Sequence, residues 1–354
     1  MQQSSSPVCL LRLSALGDVT HVVPLVRTLQ RARPEQPIHW IIDKAGHKLL
    51  DGLPGVTFHT YDKKSGLAGM RALRAELAPL APFDALLQLQ VSLRANVLSG
   101  FIPARRRIGY DRSRSKELHG LFINERIPAQ QAGHVLDAIG RFAQPLGVTQ
   151  TEVSWDLATP EADQAWAQAQ WEDDGRPVLA ISPCSSHVLR NWRAERYAAV
   201  ADHAHAAGWR VVLVGGRSEL ERQVSDAILA ASQAPILDLV GRDTLKQLPP
   251  LLARANLLLT PDSGPMHIAN AVGTKVLGLH AATNPERSGP YSDRRFCVDR
   301  YDDAARTFAG KPGNAMAWGS KIEQDGVMDL IQVDDAIAAF ERYRQHYPGG
   351  HRNA

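Results

Sequence analysis

The chain has 354 residues, 22% of them charged and 44% hydrophobic, with 40 Lys+Arg against 37 Asp+Glu for a net charge of +3. That length allows about two domains of ~100–200 residues, and the composition is that of a globular chain able to bury a core in each. A charge of +3 argues against a nucleic-acid partner recognised by bulk charge, so any basic function has to be local.

Cys9, Cys184 and Cys297 are odd in number and far apart. They form neither a CxxC pair nor a disulfide framework, and a reducing compartment is the default. Met1–Pro7 is polar and uncharged, and the apolar run Val8–Leu13 contains Arg12. Neither makes a signal peptide, and no stretch approaches the ~20 apolar residues of a membrane span. The expected location is the cytoplasm.

In chain order, Val8–Leu13 reads as a buried strand, Leu16-Gly17-Asp18 as a turn and Val19–Arg33 as a helix with Pro24 near its start. Ile38–Asp43 is the next strand, Met70–Leu80 a helix and Asp84–Gln88 a strand. After a helix over Pro160–Asp173 and a turn at Asp174–Pro177, the alternation resumes more cleanly. Strands are expected at Val178–Ser182, Trp209–Val214, Ile236–Val240, Ala255–Thr260 and Lys275–Leu279. Helices are expected at Ala194–Ala207, Glu219–Ala231, Thr244–Arg254 and Pro265–Val272. Residues 304–326 read as an irregular insertion and Val333–His346 as a final amphipathic helix. Alternating strands and helices imply an α/β class of parallel sheets covered on both faces. Two such doubly wound halves would meet at a cleft, and ligands in these sheets bind beyond the carboxyl ends of strands.

Four loops follow strands. In the first, Gly17 permits a tight turn and Asp18 opens a helix, either as a cap or as a general base. His21 lies one turn further on, as a neighbour. In the second, Ser182-Pro183-Cys184-Ser185-Ser186-His187 precedes Arg190-Asn191-Trp192. Its hydroxyls and Arg190 suit a phosphate, though the same residues also make a polar surface turn. In the third, Gly215-Gly216 lets a ligand approach the backbone, and Glu219 either binds ribose or complements a helix dipole. The fourth, Thr260-Pro261-Asp262-Ser263-Gly264-Pro265-Met266-His267, is a helix start suited to an anion and holds more chemistry than capping requires. A GxGxxG after the first strand, a P-loop and a zinc motif are all missing from the sequence.

These four loops, in this order, resemble the lipopolysaccharide core heptosyltransferases, glycosyltransferase family 9, over roughly Val8 to Pro290. The resemblance implies a GT-B fold of two Rossmann-like domains: an acceptor domain at 1–158, a linker at 159–176, a nucleotide-sugar domain at 177–330, and a helix and tail at 331–354. It implies inverting transfer of heptose from ADP-heptose to a Kdo or heptose hydroxyl of the inner core. It requires no cofactor, since the ADP-sugar is a substrate, and no metal site. Carried over, Asp18 matches the catalytic base, and Ser185, Ser186 and Arg190 the diphosphate loop. Gly215, Gly216 and Glu219 match the ribose contact to within a residue or two, and Asp262, Ser263, Gly264 and His267 the sugar-diphosphate motif. Arg190 stands where lysine is common. Alternatives are a same-fold transferase of another sugar in O-antigen or outer-core assembly, and a nucleotide-sugar epimerase.

Between residues 105 and 116, Arg105, Arg106, Arg107, Arg112, Arg114 and Lys116 face a single acid, Asp111. Charge runs are usually solvated loops. Here the run lies in the expected acceptor domain, and several guanidinium forks suit the carboxylates and phosphates of a lipid A–Kdo acceptor. The same run could hold the protein peripherally on the cytoplasmic face of the inner membrane.

Overall fold

The computed structural model describes residues 6–130, 133–149 and 152–350. Most of the uncharged leader Met1–Pro7 and the last four residues of the tail fall outside them. The chain forms two compact units, Met1–Ala158 and Thr159–Ala354.

The first unit holds six strands: β1 (Val8–Leu11), β2 (Ile38–Ile42), β3 (Val56–Thr60), β4 (Phe83–Gln88), β5 (Ala104–Gly109) and β6 (Glu125–Arg126). They pair in parallel in the order β3-β2-β1-β4-β5-β6. Every residue of β1 is buried, as expected of a central parallel strand covered on both faces. Cys9, Leu11, Ile41, Phe83 and Leu86 pack with Met70, Leu73 and Leu77 of the helix Gly66–Leu77. Each fully buried leucine of this layer contributes about 1.5–3 kcal/mol.

Here the structure departs from the sequence expectation in several places. The helix expected over Val19–Arg33 is two helices, Leu16–Thr20 and Val23–Ala32, broken at His21–Val22. Pro24 lies in the first turn of the second, where its missing N–H costs little. The strand β3 was not expected. It is an edge strand, half of it exposed, and lacks a strong apolar run. Nor was β5, whose three consecutive arginines hide a strand paired on both sides.

The second unit holds β7 (Val178–Ile181), β8 (Arg210–Leu213), β9 (Ile236–Asp238), β10 (Leu257–Pro261), β11 (Lys275–His280) and β12 (Val298–Asp299), in the order β12-β11-β10-β7-β8-β9. The final helix, Val333–His346, is where the pattern placed it and packs into this unit's core. Phe340 meets Trp209 edge-on at 4.9 Å, and the Tyr343 hydroxyl donates to the Asn256 carbonyl at 3.0 Å. The segment 304–326 is less irregular than expected: the helix Tyr301–Ala309 runs into it. The Ile322 amide donates to the Ala282 carbonyl at 2.8 Å, tying the remainder to the loop after β11. 

Both sheets wind outward from a central pair, and strand order reverses between β1 and β4 and between β7 and β10. Helices leaving adjacent strands diverge there, which opens a crevice at the carboxyl ends. The loops after β1, β4, β7 and β10 are therefore where ligand chemistry belongs. Among the described residues no helix is long and apolar enough to cross a membrane.

Candidate active site

In the first unit, Asp18 occupies the third position of the helix Leu16–Thr20, at the β1/β4 switch point. Its Oδ2 accepts the Ala15 amide at 3.1 Å and pairs with Arg12 Nη2 at 2.5 Å. Arg12 in turn donates through Nη1 to the Leu89 carbonyl at 2.5 Å, and the Leu13 amide donates to Gln90 Oε1 at 2.9 Å. The loops after β1 and β4 are thus bolted together around this carboxylate, whose side chain remains 35% exposed. Asp18 is both a helix-start group and an oriented, solvent-facing carboxylate. His21 is buried, with its ring edge-on to His134 at 5.5 Å.

In the second unit, the loop after β7 is held from below by Trp192, whose indole N–H donates to the Ile331 carbonyl at 3.0 Å. Ser185 is buried: its amide donates to Asn191 Oδ1 at 2.7 Å and its hydroxyl to the His187 carbonyl at 2.9 Å. Ser186 is exposed. Arg190 turns two guanidinium nitrogens onto one carboxylate oxygen, Nε at 2.8 Å and Nη2 at 2.5 Å from Glu323 Oε1. Glu323 Oε2 lies 3.6 Å from His187 Nε2, so Glu323 clamps both ends of the turn. Lys321 is within electrostatic reach of Arg190, Glu323 and Asp262.

The loop after β10 feeds the helix Gly264–Ala271, with Pro265 in its first turn. Ser263 makes no side-chain cap bond; its hydroxyl instead shares a 2.8 Å hydrogen bond with Thr260 Oγ1. The helix start is left for an anion to complement. Asp262 is nearly buried, with Oδ1 3.5 Å from His267 Nε2 and Oδ2 accepting the Ser288 hydroxyl at 3.0 Å. Burial pushes this carboxyl up, but hydrogen bonding and charge from His267, with a hydrogen bond from Thr283, outweigh it and hold the group well below the usual carboxylate range. Burial drives the neighbouring His280 towards its neutral form.

One strand over, at the exit of β8, the Gly216 amide donates to Glu221 Oε1 at 2.7 Å and the Ser218 hydroxyl to Glu221 Oε2 at 2.6 Å. A Cβ on Gly216 would sit 2.8 Å from that carboxylate, whereas Gly215 has ordinary room. Glu219 points along its own helix and accepts from Gln223 Nε2 at 3.0 Å. The acid at the glycine pair is therefore Glu221, two residues beyond the one singled out from the sequence.

The arginine run does not form one site. Arg106 is spent on Glu125, with Nε at 2.9 Å and Nη2 at 2.8 Å, and on the Pro145 carbonyl at 2.6 Å. Arg107 donates to the carbonyls of Ser99 and Ile102, capping the helix Leu93–Ser99. Arg114 is buried against Asp111 at 2.9 Å and the Gln130 carbonyl at 2.8 Å. Arg105, Arg112 and Lys116 are exposed, but Arg105 lies in β5 whereas the other two lie beyond its end. 

Arg12, Glu221, Thr283, Ser288 and Glu323 were missed in the sequence. Arg12 carries a signal, a charge interrupting an apolar run, and Thr283 lies in the loop after β11, whereas Ser288 ends the short helix Pro285–Ser288. Glu323 carries none, being 133 residues from its partner Arg190. Among the described residues no cluster of three His, Cys, Asp or Glu is arranged to hold a metal, and the three cysteines are free.

Comparison with known proteins gives these loops a context. Residues 70–311 match the model of glycosyltransferase family 9 (heptosyltransferase). The chain is 37% identical over 340 residues to the lipopolysaccharide core heptosyltransferase OpsX of Haemophilus influenzae, covering 96% of this chain and 97% of that one. The fold matches a family 9 glycosyltransferase of Veillonella parvula, with a TM-score of 0.79 and 23% identity over 97% of this chain and 98% of that one. It also matches the E. coli ADP-heptose lipopolysaccharide heptosyltransferase II, with a TM-score of 0.73 and 20% identity over 95% of this chain and 98% of that one. With the family model spanning most of the chain and a relative this similar along nearly its whole length, the protein belongs to glycosyltransferase family 9, as a heptosyltransferase of GT-B fold acting in lipopolysaccharide core synthesis.

Proposed function

We propose that the protein transfers heptose, with inversion, from ADP-heptose to a Kdo or heptose hydroxyl of the lipopolysaccharide inner core, meeting its lipid-anchored acceptor at the cytoplasmic face of the inner membrane. The observation that carries this reading is the convergence of Ser185, Arg190, Asp262 and His267 on the β7/β10 switch point, beside a helix start left without a side-chain cap. Such a site suits a diphosphate, and the name of the E. coli relative supplies ADP-heptose as the donor to test.

In this reading the first unit binds the acceptor and the second the donor. Asp18, oriented by Arg12 and the Ala15 amide, takes the proton from the acceptor hydroxyl as its oxygen attacks the anomeric carbon from the face opposite the diphosphate. The departing ADP gains charge, which Arg190 and the start of the helix Gly264–Ala271 stabilise. Glu221, or Glu219 two residues before it, takes the ribose near Gly215 and Gly216, while the anionic Asp262 accepts sugar hydroxyls. No cofactor is required for this displacement.

The test is a donor panel. Purified protein is given inner-core acceptor and ADP-heptose, UDP-sugars or GDP-sugars, and product is read by mass spectrometry. Heptose added from ADP-heptose alone is expected. Transfer from a UDP- or GDP-sugar, or donor isomerised in the absence of acceptor, would replace this reading with another transferase or an epimerase.

A further inference from the structure

One surface of the first unit has no part in the chemistry above. Leu93, Leu118 and Leu121 are 49%, 63% and 77% exposed. They form one patch: the Leu93 amide donates to the Glu117 carboxylate, and the Leu121 amide to the Leu118 carbonyl at 2.9 Å. The turn that carries them is strained. Glu117 and Leu118 have φ of +50° and +63°, a left-handed region that a non-glycine residue uncommonly adopts. It is held from beneath, where Asn96 Nδ2 donates to the Glu117 carbonyl at 2.7 Å and Asn96 Oδ1 meets His119 Nδ1 at 2.9 Å. A rigid buried network thus forces a leucine outwards.

Cations surround it. Arg94 adjoins Leu93, and Arg112 and Lys116 lie in the same loop. All three are exposed, and among the described residues none makes a side-chain hydrogen bond or ion pair. The acid nearby, Glu117, is engaged with the Leu93 amide.

We propose that this leucine turn is a membrane-docking element: Leu93, Leu118 and Leu121 enter the surface of an anionic bilayer while Arg94, Arg112 and Lys116 meet its headgroups. Exposed aliphatics rimmed by unpaired cations are the composition of an interfacial lipid contact. A protein partner is the poorer fit, because interface anchors are mostly Trp, Tyr and Arg, with leucine under-represented. The position agrees. The patch follows β4 and β5, and Asp18 follows β1, on the same edge of the sheet. The strands β1 and β5 themselves are two strand spacings, about 10 Å, apart. The choice of a membrane as occupant rests on the lipid-anchored acceptor proposed above, and it replaces the six-cation run with three cations and three leucines.

The test is sedimentation of the full chain with vesicles of phosphatidylethanolamine alone or with phosphatidylglycerol added. Binding to the anionic vesicles is expected. Leu118→Asn together with Leu121→Ser should weaken it about tenfold or more, as expected for losing buried aliphatic area. Each of Arg94→Ser, Arg112→Ser and Lys116→Ser should weaken it about fivefold at low salt. Leu118→Asn should hold or raise the melting temperature, since asparagine tolerates positive φ better than leucine, which separates lost docking from lost folding. Heptose transfer by the leucine variant should fall with vesicle-embedded acceptor and stay normal with a deacylated, soluble one. Wild-type protein indifferent to phosphatidylglycerol, or leucine variants that bind vesicles as well as wild type, would overturn the proposal. So would a wild-type dimer in ultracentrifugation that Leu118→Asn dissociates. Absence of transfer to either acceptor would instead count against the enzymatic reading and leave the vesicle result standing.

Discussion

The loops after β7 and β10 and the run from Arg105 to Lys116 are both rich in charge, but the fold treats them differently. In the loops, groups distant in the chain converge: Arg190 on Glu323, and Ser288 on Asp262, which also faces the nearby His267. In the run, neighbours in the chain diverge. A strand sends alternate side chains to opposite faces, so Arg106 reaches Glu125 and Pro145 while Arg107 reaches the end of the helix Leu93–Ser99. A loop at a switch point keeps its polar groups for a ligand, whereas a strand spends them on its own neighbours. The oriented Asp18 belongs with the first class and sets the largest expected effect. Asp18→Asn should leave donor affinity intact and lower turnover about 10²–10⁴-fold, measured as ADP release with saturating acceptor. Near-normal turnover would reduce Asp18 to a helix-start group.

The next contrast lies within the run. Arg114 and Asp111 are 2% and 3% exposed. Removing one member of a buried pair leaves an uncompensated charge, so Arg114→Ala should cost about 3–5 kcal/mol in chemical denaturation. Arg105→Ala should stay within about 0.5 kcal/mol, because its side chain is exposed and has no partner among the described residues. Equal losses would mean that the strand does not sort these arginines as described.

A pH scan probes the support beneath the leucine turn. His119 is buried, accepts the Tyr110 amide on Nε2 at 3.1 Å and faces Asn96 Oδ1 with Nδ1, which fits the neutral ring protonated on Nδ1. Burial, and then the Arg126 charge, lower its pKa to about 4. The unfolded chain, at about 6.5, binds the proton more readily, so stability is complete above pH ~6.5 and declines as pH falls towards ~4, by about 3 kcal/mol in all. His119→Gln should be less stable at neutral pH and lack that part of the slope. An unchanged slope would place the acid sensitivity elsewhere.

How far the sequence could be read follows from the same physics. Continuous apolar runs marked β1, β7 and β10 because central parallel strands are covered on both faces, and Gly264-Pro265 marked a helix start. β3 and β5 stayed hidden: one is a half-exposed edge, and the other offers arginines where a strand signal needs valine or isoleucine. In the candidate site, the sequence singled out the loops after β1, β7 and β10 but missed Arg12 and Thr283, which also follow strands. Glu221 was missed by two residues, because the third position of the helix Glu219–Ala231, not the first, reaches back to the glycine pair. Glu323 lay beyond reach, since only the tertiary fold brings the segment after Tyr301–Ala309 onto the loop after β7.

Glu323 also gives a reason for arginine at position 190. Its carboxylate occupies Nε and Nη2, and among the described residues Nη1 takes no protein partner. A guanidinium can hold a carboxylate on one edge and offer its remaining nitrogen to a diphosphate, while a lysine head group would have to choose between them. Arg190→Ala should therefore weaken ADP binding by about 1.5–3 kcal/mol, the range for a hydrogen bond to a charged group. Glu323→Gln separates two roles. If Glu323 positions Arg190, the variant binds ADP more weakly, and the loss vanishes in the Arg190→Ala background, because coupled neighbours are not additive. If Glu323 instead competes with the diphosphate for the guanidinium, the variant binds ADP more tightly. The 3.6 Å approach of His187 to the second oxygen favours positioning, since it fixes the carboxylate from the side away from Arg190. Calorimetry on the two single variants and the double variant decides between them, and a Glu323→Gln variant that tightens ADP binding would make this carboxylate a gate on the donor site.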